Sequence, residues 1–219
     1  MEFVQNTKDL DFQPDWRLPA VDLARRALAY CEVHLKSQLT CYRVIKPEHV
    51  NLDIFWGEYI WCVYTSGFNA SVVSKMYPRL WNAYSKAPPL GDMPWDAVGI
   101  MIAPINANCQ KFKAIKATAT HLKEIGWDEF RKRYLTHVDN IPRGCNYIGK
   151  ITKYHLGRNI GLDCVKPDLH LNRVAKWYGW ANPHEMCSYL SERLGERIGV
   201  VDFVLWAYCA AYGTREIDT

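Results

Sequence analysis

No apolar run in this chain approaches the roughly 20 residues that a membrane-spanning helix requires. The opening Met1-Glu2-Phe3 lacks the charged-then-apolar pattern of a secretory leader. A soluble intracellular protein without a membrane partner is the expectation. The eight cysteines are scattered, with no C-x-x-C pair and no cluster of iron–sulfur spacing. Reduced, partly buried thiols are therefore expected, with no disulfide framework and no metal site. Strand signals are few, and internal repeats and low-complexity tracts are missing. Charge of one sign is also scarce: the net charge of +4 permits a polyanionic partner without demanding one.

The hydrophobic fraction, 49% of 219 residues, is ample for a packed core. Residues 1–18 are polar and carry Pro14, so they read as an N-terminal arm, with a helical domain over 19–219. Val21–Leu35 has helical apolar spacing (Val21, Leu23, Ala24, Ala27, Leu28, Cys31) and a break follows near Pro47. Leu52–Tyr64 is apolar on most sides and predicts a buried helix. The Ser66-Gly67-Phe68-Asn69 turn leads to a helix capped by Asn69 or Ser71, with Val72, Val73, Met76, Leu80 and Tyr84 on one face. Pro88, Pro89, Gly91 and Pro94 make a loop. Helical patterns return over 95–105, 106–125 and 127–135. Ile141-Pro142-Arg143-Gly144 breaks the chain, and a helix is predicted over 148–160, ended by Gly161. Further helices are predicted over 168–178, from Asn182 or Pro183 to Leu194, and over 200–212. The fold class is therefore all-α, about ten helices joined by short loops.

Two residues stand out chemically. Asp168 follows the Lys166-Pro167 break at the start of a helix that continues Leu169-His170-Leu171-Asn172-Arg173-Val174. Lys150 follows Gly149, eighteen residues upstream. Taken singly, Asp168 reads as an N-cap and Lys150 as a solvated lysine. Together they suit chemistry at an electrophilic carbon. Lys111-Phe112-Lys113-Ala114-Ile115-Lys116 reads as the wet face of an amphipathic helix, or as a phosphate contact. Most of the nine tryptophans and thirteen tyrosines sit at core spacing. Trp56, Trp61, Tyr64, Trp177 and Trp180 are candidate pocket residues.

Pro142 to Gly179 resembles the core of the helix-hairpin-helix DNA glycosylase superfamily, in its endonuclease-III-like and 8-oxoguanine-glycosylase-like branch. The resemblance rests on Lys150, then Gly161, then Asp168, His170, Arg173 and Val174 in the pattern D-x-H-x-x-R-V. Its specific part covers the hairpin and catalytic segment, 141–179. A weaker likeness runs over 54–84 and the closing helix with Trp206. The chain departs from the family in two places. The usual Leu-Pro-Gly-x-Gly-x-Lys hairpin is lengthened to Ile141-Pro142-Arg143-Gly144-Cys145-Asn146-Tyr147-Ile148-Gly149-Lys150. Gly67 stands where endonuclease-III-type enzymes carry a glutamine that fills the vacated stack, and Phe68 is the nearest alternative wedge.

The resemblance implies two helical lobes with the active site between them. It implies a monomer that excises a modified base from double-stranded DNA by base flipping. Lys150 would attack C1′ and Asp168 would stabilise the developing oxocarbenium charge. Arg143, Gly144, Gly149, Lys153, His170 and Phe68 would contact DNA, and no metal or organic cofactor is implied. Arg143 and Lys153 are also the cations that would lower the proton affinity of Lys150. Location in the cytoplasm and nucleoid, or in a nucleus, follows. Two other readings share the residues: a glycosylase-fold transferase acting on 5-substituted thymine in phage DNA, and a non-catalytic DNA-binding module.

Overall fold

The computed structural model describes residues 12, 14–16 and 18–214. Residues 1–11, most of the expected arm, lie outside the described residues. The described residues hold twelve α-helices, two short 3-10 turns and no strand. The chain divides into two compact units. One comprises the chain up to Ile45 and from Asp163 onward, and the other runs from Lys46 to Leu162.

The first unit is built on its last helix. It contains α1 (Ala20–His34), α2 (Lys36–Val44), α10 (Leu169–Trp177), α11 (Pro183–Leu194) and α12 (Ile198–Tyr212). α12 packs against the other four. Its sequence explains why: Val200, Val201, Phe203, Val204, Leu205, Ala207 and Tyr208 leave no polar stripe, and all are buried. A helix that is apolar all round has to sit inside a shell of neighbours. Truncating Phe203 to alanine would cost about 3–5 kcal/mol. The polar faces of α1, α10 and α11 lie outward. Trp16, within the expected arm, is buried against this core, and its carbonyl accepts the Trp177 indole N–H at 2.9 Å.

The second unit is centred on α3 (Leu52–Thr65), which packs against α4 (Ala70–Tyr84), α6 (Cys109–Ile125) and α9 (Thr152–Asn159). α5 (Trp95–Ile102) lies on α4, while α7 (Trp127–Tyr134) lies on α6 and α8 (Ile141–Gly144). Asn51, Asn69 and Asn108 cap α3, α4 and α6 with their side-chain oxygens, satisfying N–H groups that a helix start leaves open. Of the face expected on α4, Val73, Leu80 and Tyr84 are buried but Val72 is 51% exposed. Trp56, Trp61 and Tyr64, candidates for a pocket, are buried among the helices of this unit.

The expected break at Ile141–Gly144 is instead a single helical turn, started by Pro142 inside its first turn, where a missing N–H is harmless. The helix expected from Ile148 begins only at Thr152. Between them the chain turns through Tyr147, whose φ of 69° is left-handed. α8, this turn and α9 form a helix, a hairpin and a helix in sequence. All eight cysteines are free thiols, six of them buried. No group of metal-ligating side chains occurs among the described residues, and no described helix is long and apolar enough to cross a membrane.

Candidate functional site

Asp168 is the N-cap of α10. Its Oδ1 accepts the Leu171 N–H at 3.2 Å, and its own N–H donates to the Lys166 carbonyl at 2.8 Å. The segment leading to it is held from α12. The Asp202 carboxylate, fully buried, accepts the Lys166 N–H at 2.7 Å, and Asp163 accepts the Gly199 N–H at 2.9 Å. Lys166 Nζ lies 3.8 Å from Asp168 Oδ2, with the two side chains 20% and 15% exposed. The aspartate is thus a half-sheltered carboxylate whose direction is fixed by the helix start and by two anchors, the buried Asp202 and the exposed Asp163.

His170 and Arg173 follow on the same helix and share one partner. The Thr214 hydroxyl lies 3.2 Å from His170 Nδ1 and accepts from Arg173 at 3.3 Å. Partial burial lowers the His170 pKa below its usual value, opposed by the nearby Asp168 charge. These residues brace the first turn of α10 against the end of the chain.

Lys150 occupies the turn before α9, exposed, and no hydrogen bond or ion pair engages its ammonium among the described residues. Its surroundings are fixed: the Gly149 N–H donates to the Thr152 hydroxyl at 2.7 Å, and Lys153 N–H donates to the Gly149 carbonyl at 3.0 Å. The Lys153 ammonium is paired with Asp139, which raises its pKa, and lies 4.8 Å from the Tyr154 ring centre. Arg143 is exposed on α8. Gly144 is buried, and a Cβ there would come within 2.5 Å of the Tyr134 ring, so close packing accounts for this glycine. Phe68, in the turn after α3, is 45% exposed.

The expectation for the basic run on α6 fails at Lys111, which is 1% exposed. Its ammonium donates to the Tyr64 carbonyl at 2.9 Å and the Ser66 carbonyl at 2.8 Å, at the end of α3. A cation suits a helix C-terminus, where carbonyls lack partners. Burial lowers its pKa to about 8. Spacing could have revealed this, because Lys111, Ile115, Thr118, Ala119 and Leu122 form one helical stripe and all are buried. Lys113 and Lys116 are exposed, as expected.

Glu58 was also overlooked. It lies on α3 between Phe55, Trp56, Tyr59 and Ile60, and accepts from the Asn159 amide at 2.7 Å. Burial pushes its pKa up to about 7, with the Asn159 hydrogen bond and the Arg158 charge opposing. A carboxylate inside a helix that is apolar on most sides was the available signal.

These features define a class by architecture: an all-helical chain with a helix-hairpin-helix segment, a lysine in the hairpin and an N-cap aspartate beyond it. This is the helical DNA glycosylase fold. Among solved structures, the chain is similar to the crystal structure of the 8-oxoguanine DNA glycosylase of Thermotoga maritima. The TM-score is 0.62 at 16% identity, over 88% of this chain and 96% of that one. No protein-family model and no curated protein matches the chain.

Proposed function

We propose that this chain is a base-excision DNA glycosylase with associated AP-lyase activity, in the endonuclease-III-like and 8-oxoguanine-glycosylase-like branch. The observation that carries the proposal is the Asp168 carboxylate, half-sheltered and fixed at a helix start eighteen residues after the hairpin lysine in sequence, in a chain with this fold. Breaking an N-glycosidic bond builds positive charge on the sugar, and a fixed carboxylate stabilises it without reorganising. The base leaves with the bonding electron pair and takes up a proton. The Lys150 amine forms a bond to C1′, and ring opening gives a Schiff base. Loss of a proton from C2′ then breaks the C3′–O bond and releases the 3′ phosphate.

The partner in this reading is duplex DNA carrying one modified base, bound by a monomer in a DNA-containing compartment. Arg143, Lys153, the Gly144 and Gly149 backbone and His170 lie on or beside the segments expected to meet DNA. Phe68 is the side chain proposed to enter the vacated stack. Pairing with Asp139 offsets the charge of Lys153, so the exposed Arg143 is the side chain proposed to meet a phosphate.

The test is base release from a panel of duplexes, each with one modified base. Release followed by strand cleavage supports the proposal. Release without cleavage that survives Lys150→Ala would reduce it to a monofunctional glycosylase. Binding without release on any substrate would overturn it, in favour of a transferase or a binding module.

A further inference from the structure

Three observations on the second unit converge beside the hairpin. The first is a pair of exposed aromatic rings set around one buried charge. Lys111 Nζ lies 4.4 Å from the Phe68 ring centre and 5.7 Å from that of Tyr147. Phe68 comes from the turn after α3 and is 45% exposed; Tyr147 comes from the hairpin and is 42% exposed. Exposed aromatics of this size usually bury themselves against the core. Here both stay in solvent, held by the ammonium rather than by each other.

The second observation is that no carboxylate among the described residues pairs with this ammonium. Its hydrogen bonds go to two backbone carbonyls, and burial alone depresses its proton affinity. That uncompensated positive charge favours an anionic ligand, a phosphodiester among them, over a cationic one.

The third is an open, shallow hollow against Tyr147, lined by Asn108, Gln110, Lys113, Ala114 and Asn146. Gln110 offers a donor and an acceptor; Asn108, whose oxygen caps α6, offers its NH2 group, and Asn146, whose NH2 group already meets Thr118, offers its carbonyl oxygen, a combination able to read a base edge. Lys113 adds an exposed cation at the rim.

The Asn146–Tyr147 wall is rigid. Asn146 N–H donates to the Thr118 hydroxyl at 2.9 Å, and the buried Tyr59 hydroxyl donates to the Asn146 carbonyl at 2.8 Å. The left-handed φ of Tyr147, 69°, is one an unbranched glycine would adopt without strain. Asparagine, aspartate or glycine would be the usual choice there, so a tyrosine kept at this φ carries backbone strain. The strain is accounted for if the ring itself has a task.

We propose that Tyr147, with the amide-lined hollow beside it, forms a binding site for an unpaired nucleobase and its phosphate. Tyr147 stacks on the base, Asn108, Gln110 and Asn146 meet its polar edge, and Lys113 meets the phosphate. Positive charge and aromatic rings together are the means by which proteins hold single-stranded nucleotides. The site deepens the DNA reading above and rests on it.

The test compares a fully paired duplex with the same duplex carrying one bulged nucleotide, both undamaged and fluorescently labelled, titrated with the full chain. Wild type is expected to prefer the bulged duplex. Tyr147→Ala should lower affinity for it about 5- to 100-fold, the range that loss of one stacked base gives, while leaving the paired duplex within about twofold. Tyr147→Phe, which keeps the ring, should bind like wild type. Tyr147→Gly removes the ring and also the φ strain, so it should fold at least as well as wild type and lose the preference equally. Gln110→Ala should weaken the bulged duplex about 5- to 20-fold.

A wild type that does not prefer the bulge overturns the site. So does an equal loss on both duplexes in Tyr147→Gly, which would make the ring a backbone contact. Base release from damaged duplexes separates this from the glycosylase reading. Release without bulge preference sinks the site alone, and preference without release sinks the glycosylase alone. A chain that binds neither duplex sinks both.

Discussion

Replacing Asp168 by asparagine separates a structural aspartate from a chemical one. The side chain caps α10, accepting the Leu171 N–H at 3.2 Å, and asparagine caps a helix about as well. What Asp168→Asn removes is the charge. The interaction with Lys166 at 3.8 Å, between side chains 20% and 15% exposed, and with the start of α10, is worth about 0.5–1 kcal/mol. For a chain of this size the melting temperature should fall by only about 1–4 °C. Asp168→Ala loses the cap as well, at about 1–2 kcal/mol. A carboxylate that stabilises an oxocarbenium has a larger effect on rate. Removing one such electrostatic group costs about 100- to 1,000-fold, or about 3–4 kcal/mol in the barrier. Single-turnover base release and thermal melting of the same preparations form the assay. The expected pattern is that asparagine and alanine lose activity alike while asparagine retains nearly all stability. Activity of Asp168→Asn within about threefold of wild type would show that the aspartate is only a cap.

Glu58→Gln keeps an acceptor for the Asn159 amide but cannot ionise. The folded-state pKa of Glu58, about 7, lies above the ordinary 4.5, so its stabilising contribution is complete below pH 4.5 and is lost as pH rises through 7. The stability advantage of the variant should grow from near zero at pH 4.5 to on the order of 3 kcal/mol at pH 8, read by urea unfolding; an advantage independent of pH would refute the assignment. Lys111 behaves in the opposite sense. Its folded pKa, about 8, is below 10.5, so the unfolded chain binds the extra proton between these values and wild-type stability gains from rising pH there. Lys111→Met should unfold about 1–3 kcal/mol more easily at pH 7, because two carbonyls lose their donor, and should lack that gain. Gly144→Ala should destabilise by about 1–3 kcal/mol, since the Tyr134 ring stands 2.5 Å from the added carbon. Denaturant midpoints equal to wild type would refute that packing.

Elements dominated by burial were readable. α3 and α12 carry apolar residues on all sides, and both proved to be the centres of their units. Ends marked by special backbone were readable too: Gly179 and Gly213 stop α10 and α12 at φ 77° and 87°. α2 was not. Only Leu39 of its nine residues is buried, so no periodic stripe announces it, and a single residue, Leu35, separates it from α1. The hairpin misled because Tyr147 takes a conformation that side chains seldom adopt, delaying α9 to Thr152. Asp168 was legible as a pinned helix start, since Lys166-Pro167 excludes earlier helix. The anchors that fix it, Asp163 and Asp202, were not, because they reach it from α12 and from the loop 163–167 by contacts that no local pattern encodes. Lys111 departs from both the wet-face and the phosphate-contact readings of the basic run because its position falls on the buried stripe of α6.

The central claim is that the Lys150 amine bonds to the sugar whose base is lost. Borohydride reduction during reaction with damaged duplexes tests it most directly, because it converts a Schiff base into a permanent protein–DNA link. The account predicts a trapped adduct on at least one damaged duplex, mapped to Lys150 by mass spectrometry and lost in Lys150→Ala. Base release with no trapped adduct, or an adduct on another amine that persists in Lys150→Ala, would contradict it.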